Sequence, residues 1–218
     1  RLLLDFSGVD KMIQKTGFNC FPVRTSSEKK YFEYALNMDI RLRKKEYVDF
    51  VRSITPLVVD LFELILKRQC GIDINKYCDS YRVNGVAARK WSMKKLNGSS
   101  VLNVLNQYFS SKGEQFKGKD IYSIHLKVLI DSFSQDEKLK GLIENVRSVE
   151  GSIRNLAAHE IVSVTEESVK GITGFLPKDI MDMIKELFNY TGMSIKKSYW
   201  DSYDEMNKYI LDKMTIDR

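Results

Sequence analysis

Apolar residues recur along this chain at steps of three and four, the spacing that gathers them on one side of an α-helix. Tyr31, Tyr34, Ala35 and Met38 form one stripe, and Phe50, Ile54, Leu57, Val58, Leu61, Leu64 and Ile65 form a wider one. The second runs from Glu46 to Gln69 and stops at Gly71, the residue type that closes helices in the left-handed region. Pro56 interrupts it and leaves two readings open: a new helix with Pro56 at its first position behind a Thr55 cap, or one long helix kinked at the proline. Ser99 predicts the cap of a short helix through Leu102, Leu105 and Phe109, followed by a lysine- and glycine-rich loop from Ser110 to Lys119. Ile121, Ile124, Val128 and Leu129 predict the next helix, and Leu139, Leu142, Ile143 and Val146 the face of another that runs toward Ala158. After a loop with Val162 and Val164, Thr165 caps a short helix and Pro177 opens a longer one through Ile180, Ile184 and Leu187. A last helix extends from Tyr199 to Met214. No strand pairing, hairpin or solenoid repeat is expected, so the predicted fold class is all-α.

Composition narrows the class further. A length of 218 residues suits one sizeable domain, or one domain with a helical appendage, and can bury about 70% of the unfolded chain's surface without a metal or disulfide staple. Only three prolines and 29% charged residues, with no long apolar run, exclude collagen-like, disordered and membrane-spanning classes. Cys20, Cys70 and Cys78 lack the spacing of a zinc site or a disulfide framework, which points to a reducing, cytoplasmic setting. The chain starts at Arg1 without a methionine or a leader, so a preceding N-terminal region is expected. A net charge of +6 is compatible with a polyanionic partner. Basic residues gather at Arg41 to Lys45 and again between Arg82 and Lys95, including Arg89, Lys90 and Lys94; both runs are candidates for nucleic-acid contact, with a solvated face as the simpler reading.

Nucleotide-binding glycine loops, the serine-hydrolase elbow, the zinc-protease helix motif and calcium loops are all missing from the sequence. Of the two histidines, His125 sits among Ile124, Leu126 and Val128 with no acid or cysteine at ligand spacing, and reads as structural. His159 differs. It closes the string Arg154-Asn-Leu-Ala-Ala-His159, in which a guanidinium, an amide and an imidazole fall within six residues. On a regular helix Asn155 and His159 are one turn apart and about 40° around the axis, whereas Arg154 and His159 diverge by about 140°. Either the helix distorts there, or a second copy of the chain supplies the converging partners across a twofold axis. A structural role also fits the residues, with Glu150 and Arg154 as an i,i+4 pair, the alanines at a helix crossing and His159 against a helix C-terminus.

RNA brings its own nucleophile. A ribose 2′-hydroxyl attacks the adjacent phosphate once a base takes its proton, an acid protonates the departing 5′-oxygen and a cation steadies the phosphorane. Histidine and arginine are suited to these tasks, the imidazole by its near-neutral pKa and the guanidinium by its match to phosphate oxygens.

RNLAAHE (Arg154 to Glu160) resembles the Arg-x4–6-His motif of HEPN ribonucleases, and in particular the Arg-Asn-x-x-Ala-His form of the type III CRISPR accessory ribonucleases, sixth member of the Csm group. Lys44 to Leu66 resembles the long helix that enters the HEPN region of those proteins, and Leu2 to Lys15 the segment after their sensor domain. The resemblance implies an all-helical HEPN-type bundle with additional helices over residues 28–218, preceded at 1–27 by a linker that follows an absent N-terminal sensor. It implies a homodimer with a composite site, metal-independent cleavage of single-stranded RNA, and catalytic roles for Arg154, Asn155 and His159. It further implies a functional link to a type III CRISPR effector complex in antiviral defence. The activator would be cyclic oligoadenylate, bound by the sensor domain and not by any α/β segment of this chain. Two rival readings share the helices: a non-catalytic RNA-binding or scaffold protein, and a HEPN toxin restrained by an antitoxin.

Overall fold

The apolar stripes become helices in the computed structural model, which describes residues 14, 17, 25–159 and 164–216. In chain order the elements are α1 (Ser26–Arg43), α2 (Tyr47–Arg52), α3 (Ile54–Cys70), a 3-10 turn (Ile74–Tyr77), β1 (Cys78–Val83), β2 (Val86–Trp91) and α4 (Met93–Leu96). There follow α5 (Ser100–Ser111), α6 (Ser123–Phe133), α7 (Glu137–His159), α8 (Glu166–Thr173), α9 (Pro177–Phe188), a second 3-10 turn (Lys197–Asp201) and α10 (Ser202–Ile216). The chain divides into two compact units, one holding the described residues up to Ile40 and from Met193 onward, the other residues 41–192. In the first unit, Thr25 and Glu28 cap α1 reciprocally: the Thr25 N–H donates to Glu28 Oε2 at 2.9 Å and the Glu28 N–H donates to Thr25 Oγ1 at 3.2 Å. Phe32 packs on Trp200 with ring centroids 4.9 Å apart. Nearly all of the expected linker at 1–27 lies outside the described residues.

The second unit is built around α3, whose Leu57, Val58, Leu61, Phe62, Ile65 and Leu66 are buried against α6, α7 and α9. Full burial of such a side chain contributes about 1.5–3 kcal/mol, so this helix anchors the bundle. Neither expectation at Pro56 holds. The break between α2 and α3 falls at Ser53, whose hydroxyl donates to the Asp49 carbonyl at 2.6 Å. Pro56 then occupies the first turn of α3, where a missing N–H leaves no intrahelical bond unmade. At the other end Gly71 adopts φ 69° and closes the helix as expected. The expected caps at Ser99 and Thr165 are present, each hydroxyl accepting a backbone N–H, and Pro177 opens α9.

A hairpin overturns the expectation of no strands. β1 and β2 pair antiparallel from Cys78↔Trp91 to Val83↔Val86 around a two-residue turn. Asn84 and Gly85 sit there at φ 49° and 81°, the left-handed pair that a tight hairpin turn demands and that Asn-Gly supplies. The ribbon was hidden because it is half-exposed and rich in polar residues, with Val83 49% exposed and burial concentrated at Cys78 and Trp91. With one two-stranded ribbon among the described elements, the all-α class stands.

His125 is structural, and more deeply placed than a helix-face residue. It is 5% exposed among Trp91, Phe109, Phe116 and Tyr122. Its Nδ1 accepts the Trp91 Nε1–H at 3.0 Å and the Tyr122 backbone N–H at 3.3 Å, which requires a lone pair on that nitrogen. Burial pushes its pKa down from 6.5 to about 4. Because protonation favours the unfolded chain, the stabilisation is complete above about pH 6.5 and drains away as the pH falls toward 4, a loss of about 3 kcal/mol. Thermal unfolding followed by circular dichroism should show Tm falling through that window in the native protein. In His125→Gln the fall should be distinctly shallower.

Candidate active site

α7 presents two faces. Leu139, Leu142, Ile143, Val146, Val149 and Ile153 are buried on the core side. At about 100° per residue, Ser148, Ser152, Asn155 and His159 line up on the opposite side, and Arg147, Gly151, Arg154 and Ala158 form the neighbouring row. The helix stays α-helical through His159, so the distortion that could have turned Arg154 toward His159 does not occur. Within one chain the two remain about 140° apart around the axis, while Asn155 and His159 share a row. All three fall in the last two turns of α7; the side chains of residues 154–159 lie outside the described residues.

One turn upstream on the same side is a groove of about 620 Å³. Its walls include Tyr108 from α5 and Lys112 just past its end, Lys127 from α6, and Arg147, Gly151 and Ser152 from α7. Gly151 makes room for the arginine: a Cβ there would lie 2.7 Å from Arg147 Nη1. Behind the guanidinium, Arg147 Nε faces Glu150 Oε2 at 3.6 Å. Glu150 and Ser123 are both fully buried, and the Ser123 hydroxyl donates to the same carboxylate oxygen. Glu150 thus meets α6 and Arg147, and its expected pairing with Arg154 falls on a side chain outside the described residues. Lys127 is committed elsewhere, to Asp131 at 2.7 Å and to Glu144. Lys112 is exposed and makes no ion pair among the described residues.

Several cations of the basic runs singled out in the sequence are occupied. Arg89 donates from Nη2 to both carboxylate oxygens of Glu63 at 2.8 Å and from Nη1 to Asn75 at 2.7 Å. Lys95 pairs with Asp79 at 3.0 Å, and Arg41 donates to the Asp49 carbonyl and the Ser53 hydroxyl. These cations tie elements together, and burial holds Cys78 nearby at a pKa of about 11, far from reactive. Sequence reasoning missed Arg147, although an arginine and a glycine seven and three residues before Arg154 carried the signal.

Comparison with known proteins matches this pattern to a family. Residues 20–211 match the Cas_Csm6 HEPN domain. The chain is 24% identical over 206 residues to the CRISPR system endoribonuclease Csm6 of Mycobacterium tuberculosis (strain ATCC 25618 / H37Rv), covering 94% of this chain and 43% of that relative. It therefore spans less than half of the relative's length. Among the described residues no helix is long and apolar enough to cross a membrane. A match over nearly the whole chain, on an all-α fold whose Arg-Asn-x-x-x-His string ends a long helix, means that the chain belongs to the Cas_Csm6 HEPN domain family.

Proposed function

We propose that this chain is the ribonuclease part of a CRISPR-associated endoribonuclease, acting on single-stranded RNA as a homodimer. The observation that carries the reading is the row that Asn155 and His159 share in the last two turns of α7, with Arg154 in the next row. Because one helix cannot aim Arg154 and His159 at a single point, the reading pairs two copies of α7 about a twofold axis, giving one cleft two guanidiniums and two imidazoles.

In that cleft one imidazole accepts the ribose 2′-hydroxyl proton as the oxygen attacks phosphorus. The bond to the 5′-oxygen breaks as that oxygen takes a proton from the second imidazole, leaving a 2′,3′-cyclic phosphate and a free 5′-hydroxyl. Arg154 stabilises the charge that builds on the phosphorane, and Asn155 orients the imidazole or the substrate. The nucleophile, the acid, the base and the stabilising charge are all present in RNA and protein, so the scheme requires no metal ion. Regulation by cyclic oligoadenylate belongs, in this reading, to a sensor outside this chain, and it connects cleavage to a type III CRISPR effector complex. The test is incubation of the purified protein with end-labelled single-stranded RNA in the presence of EDTA. Shortened products ending in cyclic phosphate are expected. A mobility shift without shortening would mean an RNA-binding protein instead.

A further inference from the structure

We infer that the groove upstream of the motif on α7 is a binding track for the substrate strand, with Arg147 and Lys112 as its phosphate contacts and Tyr108 as a stacking surface. The inference rests on the ribonuclease reading and adds to it the path by which single-stranded RNA reaches the site.

Four observations support it. The first is continuity. Arg147 and Arg154 share one row and Ser152 and His159 sit in the next, each pair about 10 Å apart along the axis, so a strand lying on this face of α7 passes from the groove to the motif without leaving the helix. The second is the state of Arg147. Glu150, fixed by Ser123, steadies the guanidinium from its Nε side, and the bare backbone of Gly151 lets Nη1 lie flat against the helix. The contact to Glu150 is an ion pair at 3.6 Å and Nε makes no hydrogen bond among the described residues, so the guanidinium's hydrogen-bonding capacity is open to a phosphate. The third is the division of charge. Lys127 is neutralised by Asp131 and Glu144, whereas Lys112 faces the groove with its charge uncommitted. The fourth is the lining of small polar residues: Ser148, Gly151 and Ser152 admit a sugar-phosphate backbone, while Tyr108 on the opposite wall has a ring on which any base can stack.

A decisive measurement is fluorescence anisotropy with a fluorescein-labelled 12-nucleotide RNA of mixed sequence carrying 2′-O-methyl on every ribose, which cannot be cut. Lys112→Glu and Arg147→Ala are each expected to weaken binding at least about tenfold and to flatten its dependence on salt. Arg147→Lys should recover part of the loss. Lys76→Glu, the same charge change on an exposed lysine outside the groove, should bind like the native protein. With unmodified RNA the groove variants should raise KM far more than they lower kcat. Because Arg147→Ala removes a cation beside buried Glu150, Tm is recorded for each variant, and exposed Lys112 gives the reading free of that effect. Binding within twofold of native for folded Lys112→Glu and Arg147→Ala would overturn the inference. So would a change in sedimentation of the RNA-free variants, which would make the groove a contact between copies. The two proposals separate cleanly: native cleavage lost in His159→Ala but untouched by the groove changes sinks the track alone, whereas groove-dependent binding with no cleavage by native protein sinks the ribonuclease reading alone. Failure of the native protein to bind the strand at low salt removes both.

Discussion

His159→Ala is expected to lower RNA cleavage by about 10²–10⁴-fold, the usual contribution of a positioned acid or base, with Tm nearly unchanged. The small effect on stability follows from the helical position of residue 159, about 120–140° around α7 from Val146 and Ile153 of the buried row. Arg154→Ala should lower the rate by about 10²–10³-fold through loss of charge stabilisation, and Arg154→Lys should recover little, because a point charge does not reproduce the fork. Groups that act together do not add, so the double variant should be scarcely slower than the worse single one. Single-turnover assays with end-labelled RNA measure all of these. A His159→Ala protein that cleaves at the native rate would end the assignment.

The second large effect lies in the substrate. Replacing the scissile ribose by 2′-deoxyribose removes the nucleophile itself, so turnover at that linkage should fall below detection while binding, which depends on phosphates and bases, changes by less than about tenfold. Magnesium or EDTA should leave cutting of ordinary RNA unchanged. Mass spectrometry of the fragments then checks the chemistry, since internal attack leaves a 2′,3′-cyclic phosphate and attack by water does not. A deoxy substrate cut at an undiminished rate would require an external nucleophile and a different set of residues.

What the sequence revealed and what it hid divide along range. Ser99, Thr165, Pro177 and Gly71 act on bonds within a turn of themselves, so their roles could be read directly from the local string. The core row of α7 was visible for the same reason. Arg89 could not be understood locally, because the carboxylate that occupies it belongs to Glu63, 26 residues away. The groove was hidden too: its walls come from α5, α6 and α7, and only their packing places Lys112 opposite Arg147. Asn84-Gly85 was a different kind of miss. The turn signal was present, but the flanking residues alternate too weakly in polarity to announce strands, and hydrogen bonding across the turn made up for it.

The ribbon so formed has a bearing on how the protein behaves at high concentration. The outer side of β2 is engaged near its end, where the Trp91 N–H donates to the Lys119 carbonyl at 3.1 Å and Lys90 bridges to Asp120. Unpaired strand borders are where foreign chains add and aggregates start, and lysine or arginine along such a border discourages them. Here the chain's own loop takes up the donors beside Trp91, and Arg82 and Lys90 place charge along the rest. Crowded samples of this protein should therefore stay free of cross-strand fibres.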